Sequence, residues 1–402
     1  MHKQGGFFSN STPPLEARHF ASGLNSRFNG DQLSFADYVA RNRDMIRKVR
    51  SATHISNLNR AVEGNAPFAL EPAGADVAGK VKKYRRGILL THGLSDSPYF
   101  MRHLAALFQA SGFRVLAVLL PGHGTCPGDL LEVSWREWAK AVAYGTDRLA
   151  EEVDEVYLGG YSAGGALSIY QSLQDKRVRG LFLFAPALEI THRAAYASIH
   201  KLVSWLIPRA KWLEIKPDKD IYKYESFAKN TATQMYQLTL ALSEKLKLQP
   251  LDIPVFAVAS VDDKTVKTAA TLEFMQQQSN PANRFILYTA EAEKSAQSAP
   301  AQNIAWVNSL VPEQKILGSS HTAILIPAED EYYGVEGEYA SCIHYYPEQM
   351  DKYEECMLHP EKCWLGEVLQ KNLAAGLLRR LMYNPNFAAL KDSIKQFIDS
   401  LP

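Results

Sequence analysis

From residue 87 onward, short apolar runs alternate with stretches of helical character, and this alternation limits the possible folds more than any other feature. The runs lie at residues 87–90, 113–120, 155–159, 180–185 and 254–260. They are continuous in Val, Leu, Ile and Phe, which is typical of strands buried on both faces. Strands separated by helices favour right-handed crossovers and a mainly parallel sheet covered by helices. The chain is therefore predicted to be an α/β protein.

The segments outside these runs predict how the rest of the chain is organised. Residues 1–84 are interpreted as an N-terminal extension, loosely packed over residues 1–33 and followed from Ser34 by an amphipathic helix. The basic face of that helix is interpreted as solvated, with membrane contact as the alternative. Residues 85–188 and 252–402 are assigned to the α/β core, which closes on an amphipathic helix at 386–401.

Residues 189–251 contain no clear strand and are predicted to form a helical cap on the sheet. Residues 233–247 have helical character, and one earlier helical face is apolar, formed by Ile199, Leu202, Val203, Trp205 and Leu206. Two later segments, 284–289 and 315–318, are both candidate strands, and the sequence leaves open which one is last in the sheet.

Composition excludes several classes of protein. The 402 residues are 46% hydrophobic and 22% charged, and 44 Lys and Arg nearly balance 43 Asp and Glu. Nothing in that balance favours a nucleic-acid partner. No apolar run approaches the ~20 residues of a membrane-spanning helix. The sequence does not indicate an oligomeric state.

The four cysteines leave the compartment open. Cys342, Cys356 and Cys363 cluster near the C-terminus, and Cys126 stands apart. Because the first residues lack the apolar stretch of a secretory signal, the cytoplasm is slightly favoured. An exported protein is the alternative if the C-terminal cysteines pair. No cysteine or histidine spacing suggests zinc.

Residues 160–164 carry the pattern G-x-S-x-G, with Ser162 at its centre. The pattern follows a predicted strand and precedes a predicted helix, which is the context of a nucleophile in a sharp turn. Flanking glycines relieve clashes in such a turn, and the helix directs its free N–H groups towards developing negative charge. A glycine-rich turn with an incidental serine is the alternative.

A serine hydroxyl needs a base, and His321 is the favoured candidate. His321 follows a short apolar run late in the chain, where a loop could bring it over the nucleophile. His92 and His123 precede the nucleophile in sequence. His344 and His359 are weaker candidates because neither closely follows a strand.

The base needs a carboxylate that fixes its tautomer. The buried run at 254–260 is followed by Asp262 and Asp263. We favour Asp263, at the turn before the next helix, and interpret Asp262 as a solvated turn residue. For the oxyanion of the transition state, the backbone N–H groups of Ala163 and Leu94 are the candidate donors.

Taken together, these motifs resemble the α/β-hydrolase superfamily, and within it bacterial carboxylesterases and monoacylglycerol-lipase-like enzymes. The resembling stretches are residues 87–99, residues 119–125, the turn at Ser162, the turn at Asp263 and Ser320-His321. The order Ser, Asp, His along the chain is typical of the fold. The resemblance implies the same catalytic and oxyanion groups, a helical cap and no cofactor. Two segments depart from it: extra sequence at 290–312 and the cysteine-bearing tail at 329–366.

The expected activity is hydrolysis of carboxylic esters by an acyl-enzyme route, on small, medium or monoacylglycerol-like acyl groups. A peptidase or another acyl-transfer enzyme is the first alternative, and a catalytically silent binding protein is the second. The apolar face at 199–206 is interpreted mainly as packing against the core. Its functional alternative is that it lines an acyl pocket.

Overall fold

The computed structural model describes residues 13–52, 57–74, 83–189, 207–291, 293 and 303–402. The apolar face formed by Ile199, Leu202, Val203, Trp205 and Leu206 lies outside the described residues. The acyl-pocket hypothesis for that face therefore stays a prediction.

Eight strands of the described chain form one central sheet. In chain order, the strands of the structure are β1 (Phe68–Leu70), β2 (Tyr84–Thr91), β3 (Phe113–Val118), β4 (Val153–Tyr161), β5 (Val178–Phe184), β6 (Trp212–Glu214), β7 (Phe227–Ala228), β8 (Val255–Ser260), β9 (Arg284–Thr289), β10 (Ile304–Asn308), β11 (Trp364–Gly366) and β12 (Leu378–Arg380). The central sheet has the order β1-β3-β2-β4-β5-β8-β9-β10. All its neighbouring strands are parallel except β1, which runs antiparallel to β3.

Ten α-helices lie in the described part of the chain. They are α1 (Phe35–Arg50), α2 (Leu58–Asn65), α3 (Arg102–Ala110), α4 (Trp135–Glu152), α5 (Ala163–Ser172), α6 (Lys229–Leu248), α7 (Thr268–Gln276), α8 (Met350–Leu358), α9 (Gln370–Leu373) and α10 (Phe387–Ser400). Every residue of β3 and β8 is buried. Because successive side chains of a strand point to opposite faces, both faces of the sheet are covered there. The predicted class, a mainly parallel sheet flanked by helices, is confirmed.

An aromatic cluster ties helices α3 and α10 to the middle of the sheet. The ring of Phe182 in β5 lies 4.7 Å from that of Phe108 and 5.2 Å from that of Phe397, measured between ring centroids. All three side chains are buried. Full burial of one such side chain stabilises the fold by about 1.5–3 kcal/mol. The closing helix predicted at 386–401 is thus part of the core.

The far edge of the sheet differs from the sequence-based expectation. The last strand is β10, which lies within the segment interpreted as extra sequence. Residues 315–318 form no strand, and Ile316 makes only isolated bridges to Val311 and Leu365. As an edge strand, β10 is only partly buried along its length. It therefore lacks the continuous apolar run by which the inner strands are recognised.

The N-terminal segment packs more closely than its composition suggests. Helix α1 begins after Ser34, whose side chain accepts the Asp37 N–H at 3.2 Å as an N-cap. Its Phe35, Tyr38 and Ile46 are buried, so this face of the predicted helix packs inward. Strand β1 pairs with β3 and so joins the central sheet, which the sequence did not predict.

In residues 189–251, the described part holds helix α6, as predicted, and the short antiparallel pair β6 and β7. That pair was not predicted, because each strand spans only two or three residues. The assignment of this segment as a cap stays a prediction.

The C-terminal tail is held together by a disulfide and a small parallel sheet. Cys342 and Cys356 form the disulfide, and strands β11 and β12 pair in parallel. The thiol of Cys363 is free and buried. In the ranges that the structure describes, no helix is long and apolar enough to cross a membrane.

Candidate active site

Ser162 lies at a sharp turn between β4 and α5. Its backbone has φ 53° and ψ −114°, a strained conformation for a residue with a side chain. A Cβ atom on Gly160 would lie 2.2 Å from the Gly164 oxygen, and one on Gly164 would lie 2.1 Å from the Thr91 oxygen. Only glycine fits at both positions, so the G-x-S-x-G pattern is a steric requirement of this turn.

Three predicted site residues are joined by hydrogen bonds. The hydroxyl oxygen of Ser162 lies 3.0 Å from Nε2 of His321, and Nδ1 of His321 lies 2.6 Å from Oδ2 of Asp263. Ser162 and His321 are 6% and 5% exposed, so the relay is screened from bulk water yet reachable. In this geometry the hydroxyl can donate to Nε2 while the Nδ1–H donates to the carboxylate.

The two neighbouring acids have different partners. Asp263 also accepts the N–H groups of Thr265 and Val266, at 2.7 and 3.0 Å, which hold its carboxylate at the strand end. Asp262 is buried and pairs with Nζ of Lys371 at 2.8 Å. The interpretation of Asp262 as a solvated turn residue is therefore wrong. A lysine 109 residues later supplies its counter-charge, which no local pattern reveals.

The other candidate histidines lie elsewhere. His92 and His123 are buried, and their rings meet at a centroid distance of 5.0 Å. Burial lowers the pKa of His123 to about 4 and that of His92 well below its usual value, so both rings are neutral. Burial also lowers the pKa of His344 to about 4. His359 lies 3.5 Å from the carboxylate of Glu361, on an exposed part of the tail.

The neutral ring of His92 orients the peptide that carries the Leu94 N–H. Its Nδ1–H donates to the Gly93 carbonyl at 2.8 Å, and its Nε2 accepts the Leu120 N–H at 3.1 Å. The Gly93 carbonyl and the Leu94 N–H belong to one planar peptide unit and point in opposite directions. Fixing the carbonyl therefore fixes the N–H. In the described part of the chain, neither this N–H nor that of Ala163 bonds to a backbone carbonyl.

A cavity of about 550 Å³ opens beside Ser162 and His321. Its apolar wall includes Leu94, Ala187, Phe227, Met235, Val266 and Met382. Its polar wall includes Asp96, Asp220, Lys223, Glu225 and Arg380. Such a mixed lining suits a ligand with an apolar chain and a polar head.

Several charged groups of the polar wall are paired with an opposite charge or have a shifted pKa. Lys223 forms an ion pair with Asp96. Burial raises the pKa of Asp220 to about 7 and also raises the pKa of Glu225. The charge of Asp96 is thus balanced by Lys223, and burial disfavours the charged forms of Asp220 and Glu225.

Two residues that the sequence analysis missed hold the backbone of His321. The Tyr161 hydroxyl donates to the His321 carbonyl at 3.1 Å, and Glu367 accepts the His321 N–H at 3.1 Å. Tyr161 lies inside the G-x-S-x-G pattern, so its position beside the nucleophile could have singled it out. Nothing near Glu367 in the sequence marks it as a contact of the base.

Across the described ranges, no group of three or more His, Cys, Asp or Glu side chains could hold a metal ion.

Comparison with known proteins gives a family match and several relatives. A family model described as serine aminopeptidase, S33, matches residues 82–291. A thermostable monoacylglycerol lipase of Bacillus sp. (strain H-257) is 28% identical over 181 residues, which are 45% of this chain and 71% of that enzyme. Among solved structures, a metagenome-derived lipolytic enzyme from a report on LipS and LipT has a TM-score of 0.46 at 20% identity, covering 56% of this chain and 87% of its own. A Paleococcus ferrophilus monoacylglycerol lipase has a TM-score of 0.42 at 16% identity, covering 55% of this chain and 87% of its own.

Proposed function

Because the matched residues make up more than half of its length, this chain belongs to the serine aminopeptidase S33 family of α/β hydrolases, and we propose that it hydrolyses carboxylic esters. In this proposal Ser162 is the nucleophile, His321 the general base and Asp263 the supporting acid. The N–H groups of Leu94 and Ala163 bind the oxyanion.

The hydrogen-bond relay carries the proposal. Distances of 3.0 Å from Ser162 to His321 and 2.6 Å from His321 to Asp263 are within the range over which a base activates a hydroxyl. The strained backbone of Ser162 adds support, since such strain is concentrated at functional sites.

The reaction follows from these contacts. The Ser162 oxygen attacks the ester carbonyl carbon while its proton passes to Nε2 of His321, and the carbonyl oxygen becomes an oxyanion facing the two N–H donors. The carbon–oxygen bond to the alcohol then breaks, and the imidazolium returns its proton to the leaving alkoxide. Water attacks the acyl-enzyme by the same route, releasing the acid and restoring the serine.

The substrate proposal rests on the cavity and on one relative. A monoacylglycerol combines an apolar chain with a hydroxyl-bearing head, which fits a cavity that has both an apolar and a polar wall. The relative at 28% identity is named a monoacylglycerol lipase. We therefore propose esters with medium acyl chains, monoacylglycerols among them, as substrates.

A peptidase is the second candidate, because the matched family model carries the name of an aminopeptidase. Peptide and ester hydrolysis share the acyl-enzyme chemistry, so the relay does not separate them. They differ in the leaving group, which is an amine for a peptide and an alcohol for an ester.

The test measures kcat/KM for nitrophenyl esters from acetate to palmitate, for a monoacylglycerol and for aminoacyl nitroanilides. We expect ester hydrolysis with a preference among chain lengths and negligible hydrolysis of the nitroanilides. A preference for the nitroanilides would establish the peptidase instead. Failure of Ser162 to react with a fluorophosphonate probe would show that the site is silent.

A further inference from the structure

Three consecutive residues around His321 are tied to the C-terminal tail. The His321 N–H donates to Oε2 of Glu367 at 3.1 Å. The Ser320 and Thr322 hydroxyls both donate to the Leu381 carbonyl, at 2.5 and 3.0 Å. The loop that carries the base is thus held by a segment 46 to 61 residues later in the chain.

Glu367 is the only charged member of this set. It is 1% exposed, and Oε2 also accepts a hydrogen bond from Nη2 of Arg380 at 2.8 Å while Oε1 accepts the Val368 N–H at 2.8 Å. Burial opposes ionisation of this carboxyl, but the Arg380 charge and the hydrogen bonds from Arg380, His321 and Val368 together outweigh that effect, so the pKa of Glu367 is lowered. Glu367 is therefore an ionised hydrogen-bond acceptor, and both of its carboxylate oxygens accept hydrogen bonds.

Strand pairing brings these groups together. In the β11–β12 pair, Gly366 lies opposite Arg380, which sets Glu367 beside the arginine. On its other side, β11 bonds to the chain that leads into His321: the Leu317 N–H donates to the Leu365 carbonyl at 2.8 Å, and the Leu365 N–H donates to the Lys315 carbonyl at 2.9 Å. Strand β11 thus lies between the strand that carries Arg380 and the chain that leads into His321.

We propose that Glu367, held in place by Arg380, is a positioning residue for the catalytic base His321. This inference rests on the proposed function, because it assigns a role within that same relay. Glu367 does not touch the reacting atoms. It fixes the backbone from which the imidazole reaches Ser162.

Glu367 is expected to affect the reaction rate in two ways, through the position of His321 and through the charge near it. A displacement of about 1 Å in a reacting group can cost about 100-fold in rate. Asp263 contacts the imidazole from the end of β8, the Glu367–Arg380 pair contacts the His321 backbone from the tail, and the Tyr161 ring lies 5.1 Å from the imidazole. Asp96, Lys223 and Lys264 line the same cavity. Removing one member of the pair changes both the position of the histidine and the charge beside it.

The experiment compares Glu367→Ala, Glu367→Gln and Arg380→Met with Asp330→Ala as the matched control. Asp330 is also a buried carboxylate of the tail, accepting the N–H groups of Tyr332 and Tyr333 at 2.9 and 2.8 Å and pairing with His103 at 2.7 Å. It has no contact with His321. For each variant we measure kcat and KM over pH, the rate of fluorophosphonate labelling and the unfolding midpoint.

We expect Glu367→Ala to lower kcat and the labelling rate by about 100-fold with KM changed by less than about threefold. Glu367→Gln keeps an acceptor for the His321 N–H and is expected to recover most of that loss. In both variants the acid limb of kcat/KM should move to lower pH, because the uncompensated Arg380 charge disfavours the imidazolium. In Arg380→Met the acid limb should move to higher pH, because the charge of the Glu367 carboxylate is no longer balanced by Arg380 and favours the imidazolium.

A purely structural role would give a different pattern. Activity in Glu367→Ala would then fall only in step with stability, as in Asp330→Ala, and the acid limb would stay in place, which overturns the inference. Should Glu367→Ala fail to fold, the acid limb of Glu367→Gln decides the matter. Labelling separates the two proposals: a wild type that labels but hydrolyses no ester refutes the ester substrate and leaves the positioning role to be judged by labelling rates.

Discussion

Single side chains carry the chemistry, and Ser162 illustrates how local geometry prepares one of them. The turn holds it at a positive φ and within 3.0 Å of His321, while the flanking glycines admit close backbone contacts. The hydroxyl contributes little to packing, because Ser162 faces the cavity. Its role in catalysis should therefore separate cleanly from its role in stability.

We predict that Ser162→Ala lowers ester hydrolysis by about 10⁶-fold while leaving the unfolding midpoint nearly unchanged. His321→Ala should be almost as severe, and the double variant no worse than either, because relay members act as a unit. The measurements are kcat for a nitrophenyl ester and thermal unfolding. A folded Ser162→Ala enzyme that retains activity would refute the nucleophile assignment.

The two neighbouring acids provide a second test. Asp263→Asn should lower kcat by about 10⁴-fold, because an amide favours the wrong tautomer of His321. Asp262→Asn removes the partner of Lys371 but leaves the hydrogen bond between Asp263 and His321 in place. We expect kcat of that variant to stay within a few-fold of the wild type. The reverse ranking would move the acid assignment to Asp262 and leave the mechanism in place.

Among secondary-structure elements, the tail shows how distant segments are held against the site. The Arg380 N–H donates to the Ser341 carbonyl at 2.9 Å, so β12 is joined to the chain next to the Cys342–Cys356 disulfide. Ser341 and Arg380 both line the cavity. The disulfide loop therefore supports one wall of the site.

We predict that replacing both Cys342 and Cys356 with serine lowers the free energy of unfolding by about 3 kcal/mol, the loop-closure value for a crosslink of this span. The measurement is chemical denaturation under oxidising conditions. Cys126→Ser is the control, since Cys126 is a buried free thiol outside the loop. Equal stability of the double variant and the wild type would contradict the prediction.

The same disulfide bears on the compartment. The sequence slightly favours the cytoplasm, with export as the alternative if the C-terminal cysteines pair. Because structural disulfides persist mainly in oxidising compartments, we propose the exported alternative. Alkylation of the protein in its native cells should then find Cys342 and Cys356 blocked; two free thiols at these positions would favour the cytoplasm.

Across the complete chain, buried titratable groups couple stability to pH. His123 and His344 are neutral in the folded protein, with burial lowering the pKa of each to about 4 from the usual 6.5, and His92 is shifted in the same direction. A lowered folded pKa means that the stabilising contribution is present above pH 6.5 and is lost as the pH falls towards 4. The shifts of His123 and His344 are each worth on the order of 3 kcal/mol by pH 4.

Asp220 changes the stability with pH in the opposite direction to the buried histidines. Burial raises its pKa from 3.8 to about 7, so its contribution is present below pH 3.8 and is lost as the pH rises through 7. We predict that Asp220→Asn, which removes this opposing contribution, loses stability more steeply than the wild type between pH 7 and pH 4. Denaturation midpoints at each pH provide the measurement. Parallel curves for the two proteins over that range would contradict the shift assigned to Asp220.

Local sequence patterns were sufficient to predict the inner strands of the sheet and the turn at Ser162. A strand buried on both faces must be apolar throughout, and a turn whose Cβ positions meet backbone oxygens must carry glycine. Both demands fall on residues adjacent in sequence, so they can be recognised before the chain is folded. The same applies to the N-cap at Ser34 and to helix α6.

Only the tertiary structure decided which residues far apart in the sequence come into contact. The half-buried edge strand β10, the pairing of Asp262 with Lys371 and the contact of Glu367 with the His321 backbone have no local signature. The last two depend on how the tail folds back over the sheet. Sequence patterns report what a residue requires of its neighbours along the chain, whereas these contacts arise from chain reversals that bring residues 46 to 109 positions apart into hydrogen-bond distance.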